Sequence, residues 1–546
     1  MIKIQHPYQD QVVIDSILQT HQSRKFKHEQ AKRLWKKYQS LILGHIQKSI
    51  LLVNKDQIEQ GYLFINLKSL THNLGRYEGK YYWSHWFQNH FPLVEIIKKG
   101  NNFSGELTMV ELKYDLEYDL DFETAAEKPD QSHCVYYVYQ DYLNDLYKWD
   151  EGQSDLFDFV RLDRRSLESY ILATDHLINN STETYKLKTY RYNLQVAITL
   201  YQCACFFEKA NYEFGIPQRI SESEYGRRYY RSLNLQNIPK IVRHAALGTC
   251  WQYDIESSVF AWQYHVVKQI DPTLNWPATL EYIDLKTAIR RRLTEHLKFN
   301  VSNEYKIDLV KQVITAIGFG SQANANESRW QKGSTWEKPA IDKIIHDPKS
   351  RYHLLQDKWL REFITEQRKM KSKIISHYYN DLIQIPFLLD KMKLRKNKAI
   401  SYLYQQAERQ LINVLVDSSK NRNEFLLLVH DGFYTSRPQK LLDLREKLME
   451  VNPWAKISME HHRGYIFHND KDHRTFIQEQ EQLANQGHIP QEVAKNYKRI
   501  QNKLYLHTEY RAQDEYDNGY RSESHYDYEL DPFYDDDNEE ETTTTI

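Results

Sequence analysis

Apolar and polar positions follow two rhythms along this chain, and the rhythms change at definable points. Residues 28–53, HEQAKRLWKKYQSLILGHIQKSILLV, repeat apolar side chains every three to four residues, which predicts an amphipathic helix with a basic face. Residues 60–125 mix strand-like runs such as YLFINLKSL with helix-like ones and pass through the acidic VELKYDLEYDLDFE. From about 165 to 212 the pattern is helical and rich in tyrosine, until Gly215 and Pro217 interrupt it. Further on, CWQYDIES (250–257) predicts a buried strand ending in acids, SVFAWQYHVVKQI a helix, and 304–318 a helix running into GFGS. Residues 321–350, rich in Ser, Asn and Lys, predict a loop, 351–400 a long basic helical region, and ISYLYQQAERQLINVLVDSS a further amphipathic helix. EFLLLVHDGFYTS (424–436) predicts a strand pair, RPQKLLDLREKLMEV a helix and WAKISMEHHR a last strand. Beyond about residue 508 there is too little aliphatic content to form a core, which predicts a disordered tail. The pattern is that of an α+β chain without an internal repeat.

Composition narrows the setting. With 546 residues and 41% hydrophobic content, the chain can bury a large core. No apolar run approaches the roughly 18 residues a membrane-spanning helix needs, and residues 1–23 are too polar for a secretory signal, so the expectation is a soluble, cytoplasmic protein with no membrane partner. Cys134, Cys203, Cys205 and Cys250 are too few and too irregularly spaced for a disulfide framework or a zinc site, and Cys203 and Cys205 read as buried packing in a reducing compartment. The formal net charge of −1 hides an asymmetry. Residues 509–546 hold 14 acids against Arg511 and Arg521, leaving a body of about +11 that suits a polyanionic partner. The acidic tail is open to three readings: recruiting a basic protein, shielding a basic cleft, or solubilising disorder.

Chemistry concentrates at two strand-end acids, Asp254 in WQYDIESS and Asp431 in LLLVHDGFYT. A buried ionised carboxylate is costly unless paired or bound to a cation, and adjacent strands would bring these two together. Lys311 and Phe319 stand eight residues apart, about two helical turns, so a cation and a ring share one face, a spacing suited to a nucleotide's triphosphate and base. Asp115 and Glu117, or Asp121 and Glu123, resemble the start of an exonuclease carboxylate set but lack convincing later members, and a solvated acidic strand is the plainer reading. His461, His462, His468 and His473 with Asp472 fit no standard zinc spacing and are expected at the surface or facing nucleic acid.

Taken in order, several stretches resemble the motifs of family A DNA polymerases. GRRYYRSLNLQNIP (226–239) is similar to that family's Gly-Arg…Asn-Leu-Gln-Asn-Ile-Pro signature, YDIESSV to motif A, the Lys311-to-Gly320 stretch to motif B, YQQAERQLINVL to the helix before motif C, and VHDGFYT to motif C. The resemblance covers about half the chain and implies a right-hand polymerase with an antiparallel-sheet palm and helical fingers and thumb. It implies an N-terminal α/β region (1–160), a helical thumb-like region (161–225), palm with motif A (226–274), fingers (275–400), palm with motif C (401–508) and the acidic tail (509–546). Under it, Asp254 and Asp431 would hold two Mg²⁺ ions, with Mn²⁺ as an alternative, and Lys311 would neutralise the incoming nucleoside triphosphate. Phe319 would stack near the templating position, with Val259 and Thr315 also lining the nucleotide site. Arg227, Gln236 and Asn237 would contact the primer-template, Gln405 or Gln406 the terminal base pair, and His430 would shape the hairpin near the primer end.

Departures from the family pattern bear on the sugar. Family A DNA polymerases carry Glu where this chain has Val259, usually Tyr where it has Phe319, and usually Glu where Gly432 follows Asp431. HDGFYT, GRRYY and Ser258 are closer to single-subunit phage-type RNA polymerases, which however use Tyr at the Phe319 position. The intervals of 57 residues from Asp254 to Lys311 and 112 from Phe319 to Asp431 are compact, as in the DNA enzymes. DNA synthesis for a plasmid or virus-like replicon is therefore the leading expectation, RNA synthesis the alternative, and a catalytically silent nucleic-acid-binding relative a third.

Overall fold

The computed structural model describes residues 2–20, 28–52, 62–77, 79–100, 107–114, 116–118, 157–180, 184–231, 234–321, 323, 340–390, 392–421, 424–465, 482 and 485. Asp115, Asp121, Glu123, the side chain of Glu117, Cys134, His468, Asp472, His473 and residues 509–546 lie outside them, and so do the expectations placed on them. No helix among the described residues is long and apolar enough to cross a membrane.

The protein is a mixed α+β chain whose described strands pair antiparallel. It begins with β1 (Ile2–Ile4), α1 (Asp10–Thr20), α2 (His28–Leu52), β2 (Tyr62–Ile65), β3 (Val94–Lys98), β4 (Thr108–Leu112) and β5 (Leu116–Tyr118). β2, β4 and β3 form one small sheet and β1 pairs with β5. The aromatic face of α2 anchors this part, with the Tyr38 ring stacked 4.2 Å from that of Phe87. Next come β6 (Phe157–Arg161), the helices α3 (Arg164–Asn180) and α4 (Thr184–Lys209), β7 (Gly215–Glu222), β8 (Arg228–Arg231) and α5 (Lys240–Leu247). Cys203 and Cys205 on α4 are fully buried, as their apolar setting predicts. One contiguous apolar cluster runs from Ile4 through α2 and α4 to Cys250 and reaches Leu427 and Tyr434, so the N-terminal half packs against the hairpin that carries these two residues.

A second, four-stranded sheet organises the C-terminal half: β9 (Thr249–Glu256), β10 (Phe425–Val429), β11 (Gly432–Thr435) and β12 (Lys456–Arg463), in the order β10-β11-β9-β12. Alternation along β9 sends Trp251, Tyr253 and Ile255 into a cluster with Phe433, Ile457 and residues of α10 (Lys396–Asn421) and α11 (Leu441–Val451). Gln252, Asp254 and Glu256 are left half-buried on the opposite face. α6 (Ser258–Ile270), α7 (Pro277–Leu293), α8 (Asn303–Phe319) and α9 (Lys358–Leu382) follow β9 and share a further core with Tyr404 of α10.

Two expectations need correction here. Within 321–350, read as loop, residues Ala340–Ile344 form a helix, because Ile341, Ile344 and Ile345 recur at helical spacing and bury together. The basic helical region 351–400 is not continuous: α9 ends at Leu382, Pro386 opens a short 3₁₀ turn, and a two-residue strand pair precedes α10.

Candidate active site

Register places the two aspartates beside each other. Asp254 on β9 lies opposite Gly432 on β11 and Ser458 on β12, and the Ile255 amide donates to the Asp431 carbonyl at 3.1 Å. Each acid adjoins a sharp reversal: Ser257 (φ 51°) turns β9 into α6, and His430 (φ 51°) turns β10 into β11. Left-handed backbone at a non-glycine residue costs on the order of 1 kcal/mol or more and clusters at functional sites. Gly432 explains itself sterically. A β-carbon there would fall 2.5 Å from the Tyr253 carbonyl oxygen and 2.8 Å from Asp254 Oδ1, so the Glu common at this position in the resembled family would collide with the neighbouring strand.

Electrostatics mark Asp254 as the focal group. Burial first and the Asp431 charge second push its carboxyl up to about 7, with Lys311 and Lys240 opposing and Glu460 adding to the rise. Lys311 is exposed on α8, and its charge reaches the Asp254 carboxylate. A second cation, Lys286 on α7, pairs with Glu256 at 3.1 Å. Burial lowers its ammonium while Glu256 and, more weakly, Asp254 support its charge. Two carboxylates crowded together with oxygen-only donors suit a hard divalent cation such as Mg²⁺. Among the described residues no group of three or more His, Cys, Asp or Glu side chains forms a metal cage.

Asp431 is held from its far side. Ser258, first residue of α6, donates to Asp431 Oδ2 at 3.0 Å, and its hydroxyl lies 2.7 Å from that of Tyr404. The Tyr404 hydroxyl also lies 2.7 Å from Glu408 Oε1, and Arg227 clamps Glu408 with Nε and Nη2 at 2.8 and 2.9 Å. Ser258, Tyr404, Glu408 and Arg227 are all buried. Burial raises the Glu408 carboxyl despite Arg227, with Asp431 adding to the rise. Burial opposes the Arg227 charge, yet Glu408 holds the guanidinium above its usual value.

This arrangement relocates several residues expected to touch nucleic acid or nucleotide. Arg227 is 5% exposed and its guanidinium is spent on Glu408. Phe319 is 8% exposed and meets Tyr404 edge-on, centroids 5.5 Å apart, rather than presenting a free stacking face. Val259 is buried in the same apolar cluster. Thr315 is half-buried and bonds back to the Lys311 carbonyl. Gln236 accepts from the Tyr230 amide through Oε1, and the Asn237 amide donates to Asn234. Gln236 Nε2 and Gln405 Oε1 are buried with no hydrogen-bond partner among the described residues. Gln406 donates to the Tyr225 carbonyl, over Gly226, whose φ of 83° and missing side chain make room for it. His430 holds the hairpin reversal itself.

His461 and His462 are a correction. Expected at the surface or facing nucleic acid, both are buried: His461 stacks on Trp251 at 4.1 Å, and His462 stacks on His244 at 3.7 Å and contacts Gln252 Oε1. Strand alternation explains it, since β12 packs against β9 and both its faces are covered there. Sequence reading also passed over Lys240, Lys286, Tyr404, Glu408 and Glu460. The i,i+4 pair Tyr404/Glu408 on a helix and the i,i+2 pair Ser458/Glu460 on a strand were the available signals.

Among solved structures, the chain is similar to the POL domain of Pol1 from M. smegmatis, determined in complex with DNA primer-template and dNTP. The TM-score is 0.36 with 11% identity, over 56% of this chain and 67% of that one. No protein-family model matches the chain, and no curated protein matches its sequence.

Proposed function

We propose that the chain is a template-directed nucleotidyltransferase that extends a 3′-hydroxyl on a primer-template using nucleoside triphosphates. The meeting of Asp254 and Asp431 on adjacent strands, in reach of the Lys311 charge, carries the reading. Motif order supports it: the Asn-Leu-Gln-Asn-Ile-Pro stretch, β9, α8 and the β10–β11 hairpin follow one another along the chain in the order of the resembled motifs. Two Mg²⁺ ions, when bound, would supply activation of the hydroxyl and charge stabilisation at the leaving oxygen. Asp254 and Asp431 would hold them, trading a costly carboxylate repulsion for cation contacts. Lys311 would meet the triphosphate, and the turns at Ser257 and His430 would keep the acids in place before substrate arrives. Palm, fingers and thumb are assigned within this proposal as the sequence divides them, and a basic partner for residues 509–546 remains part of it.

DNA-directed DNA synthesis is the favoured form, on the compact motif spacing. One observation favours an RNA-synthesising form as the second reading: Val259 lies in an apolar cluster, so its position offers no carboxylate to exclude a 2′-hydroxyl. Primer extension by the full chain, with labelled dNTPs or NTPs on DNA and RNA templates, decides. Incorporation of dNTPs on DNA is expected. A preference for NTPs establishes the second reading, and tight nucleic-acid binding with no incorporation under any combination overturns the enzyme reading in favour of a silent binder.

A further inference from the structure

The buried line of polar contacts Arg227–Glu408–Tyr404–Ser258–Asp431 joins four parts of the chain far apart in sequence. These are the segment before β8, α10, the first turn of α6 and the motif C hairpin. Since Ser258 donates its one proton to Asp431, the one Tyr404 proton goes either to Glu408 or to Ser258. The middle member of the line is Tyr404, 3% exposed, whose ring is packed by Phe319 and Trp262. Its hydroxyl is the sole bridge shown between the Glu408 carboxylate and the Ser258 hydroxyl among the described residues. Asp431 sits at the tip of a hairpin whose turn residue is left-handed, so the backbone alone leaves its carboxylate free to rotate about two side-chain torsions. The Ser258 hydrogen bond selects one arrangement, and Tyr404 in turn holds Ser258.

We propose that Tyr404 and Ser258 are positioning residues for the Asp431 carboxylate, anchoring it to the Arg227–Glu408 pair so that its cation-binding oxygen is oriented before substrate arrives. This rests on the proposed cation role of Asp431. Glu408 cannot do this alone. Among the described residues Glu408 reaches Asp431 through Tyr404 and Ser258, so the Tyr404 hydroxyl, when it donates to Ser258, is what holds Ser258 in place against Asp431. Residues that orient a metal-binding carboxylate from behind typically carry about 10- to 100-fold in metal affinity.

The test is direct Mn²⁺ binding by the full chain without nucleotide or primer-template, followed by calorimetry, for wild type, Asp431→Asn, Tyr404→Phe, Ser258→Ala and the Ser258→Ala/Tyr404→Phe double variant. Tyr404→Phe keeps the ring against Phe319 and removes one oxygen, and thermal melting checks that each variant is folded. Expected are a loss of Mn²⁺ affinity of about tenfold in each single variant and no further loss in the double, because the two hydroxyls act in series. In primer extension Tyr404→Phe is expected to lower kcat about tenfold, relieved by raised Mn²⁺, while primer-template affinity stays at wild type. Loss of Mn²⁺ affinity in Asp431→Asn with wild-type affinity in Tyr404→Phe and Ser258→Ala would overturn this inference alone. Wild-type affinity in Asp431→Asn would remove the cation reading and this inference with it.

Discussion

At the residue scale the site is governed by crowding of like charge and by the absence of a side chain. Folding raises the Asp254 carboxyl from 3.8 to about 7, so the folded protein holds a proton there that the unfolded chain gives up. Stability from this group is therefore present below about pH 4 and lost as pH rises toward 7. In EDTA, Asp254→Asn is expected to melt higher than wild type at pH 8, with the gap closing by pH 4, and Mg²⁺ should raise the wild-type melting temperature at pH 8 but not the variant's. Melting curves across that range check the sign. Gly432→Ala should cost about 2 kcal/mol in urea unfolding, since its β-carbon has no room beside Tyr253 and Asp254. Arg227→Ala should cost about 3–5 kcal/mol by leaving Glu408 buried and uncompensated, whereas an Arg227→Met/Glu408→Met double variant should cost markedly less. A double-mutant cycle in urea measures the difference, and equal costs would show that the pair is not coupled. The residue types of the site were legible in the sequence as acids ending apolar runs. Their partners were not, because Arg227 and Glu408 are 181 residues apart and nothing in either stretch announces the other.

At the element scale, packing decides which sequence signals survive. β9, α8, α10 and the β10–β11 hairpin could be read directly, since each carries one uninterrupted period and an apolar face of the right width. β12 could be read as a strand, but the stacking of His461 on Trp251 of β9 and of His462 on His244 of α5, which buries both histidines, could not. The helix at Ala340–Ile344 was hidden by the polar stretch before it. A further junction could be seen only in the structure: Lys371 on α9 is buried and donates to the Ile317 carbonyl at 2.8 Å, closing the C-terminal turn of α8. Burial first, and Arg368 second, lower its ammonium to about 7. Its folded form is thus short of a proton, and stability from this group is present above about pH 10.5 and lost as pH falls toward 7. Lys371→Met is expected to melt higher than wild type at pH 7 and to lose that advantage by pH 10. Because the same contact ends the helix that carries Lys311 and Phe319, the variant should also raise the nucleotide KM several-fold if α8 must be held at that end.

At the scale of the whole molecule, the fold explains how distant motifs come to share one face. The sheet order β10-β11-β9-β12 puts β9 between the hairpin and the last strand, and Lys286 and Lys311, on helices within residues 258–382, bring their charges to the acids of β9. Motif order could be read along the chain, but this interleaving could not, because strands that pair 170 or more residues apart leave no local trace. The N-terminal half was the least legible part. Its short strands and aromatic core carry no motif, and its packing against the hairpin emerges only from the contiguous cluster that reaches Leu427 and Tyr434. In the proposed function, Asp254 and Asp431 act as a pair in Mg²⁺-dependent nucleotide addition. Single-turnover primer extension by wild type and Asp431→Asn, each bound to the same labelled primer-template, tests this most directly. A rate about a thousandfold lower in Asp431→Asn, with primer-template affinity unchanged, is expected. Wild-type extension by Asp431→Asn would contradict it.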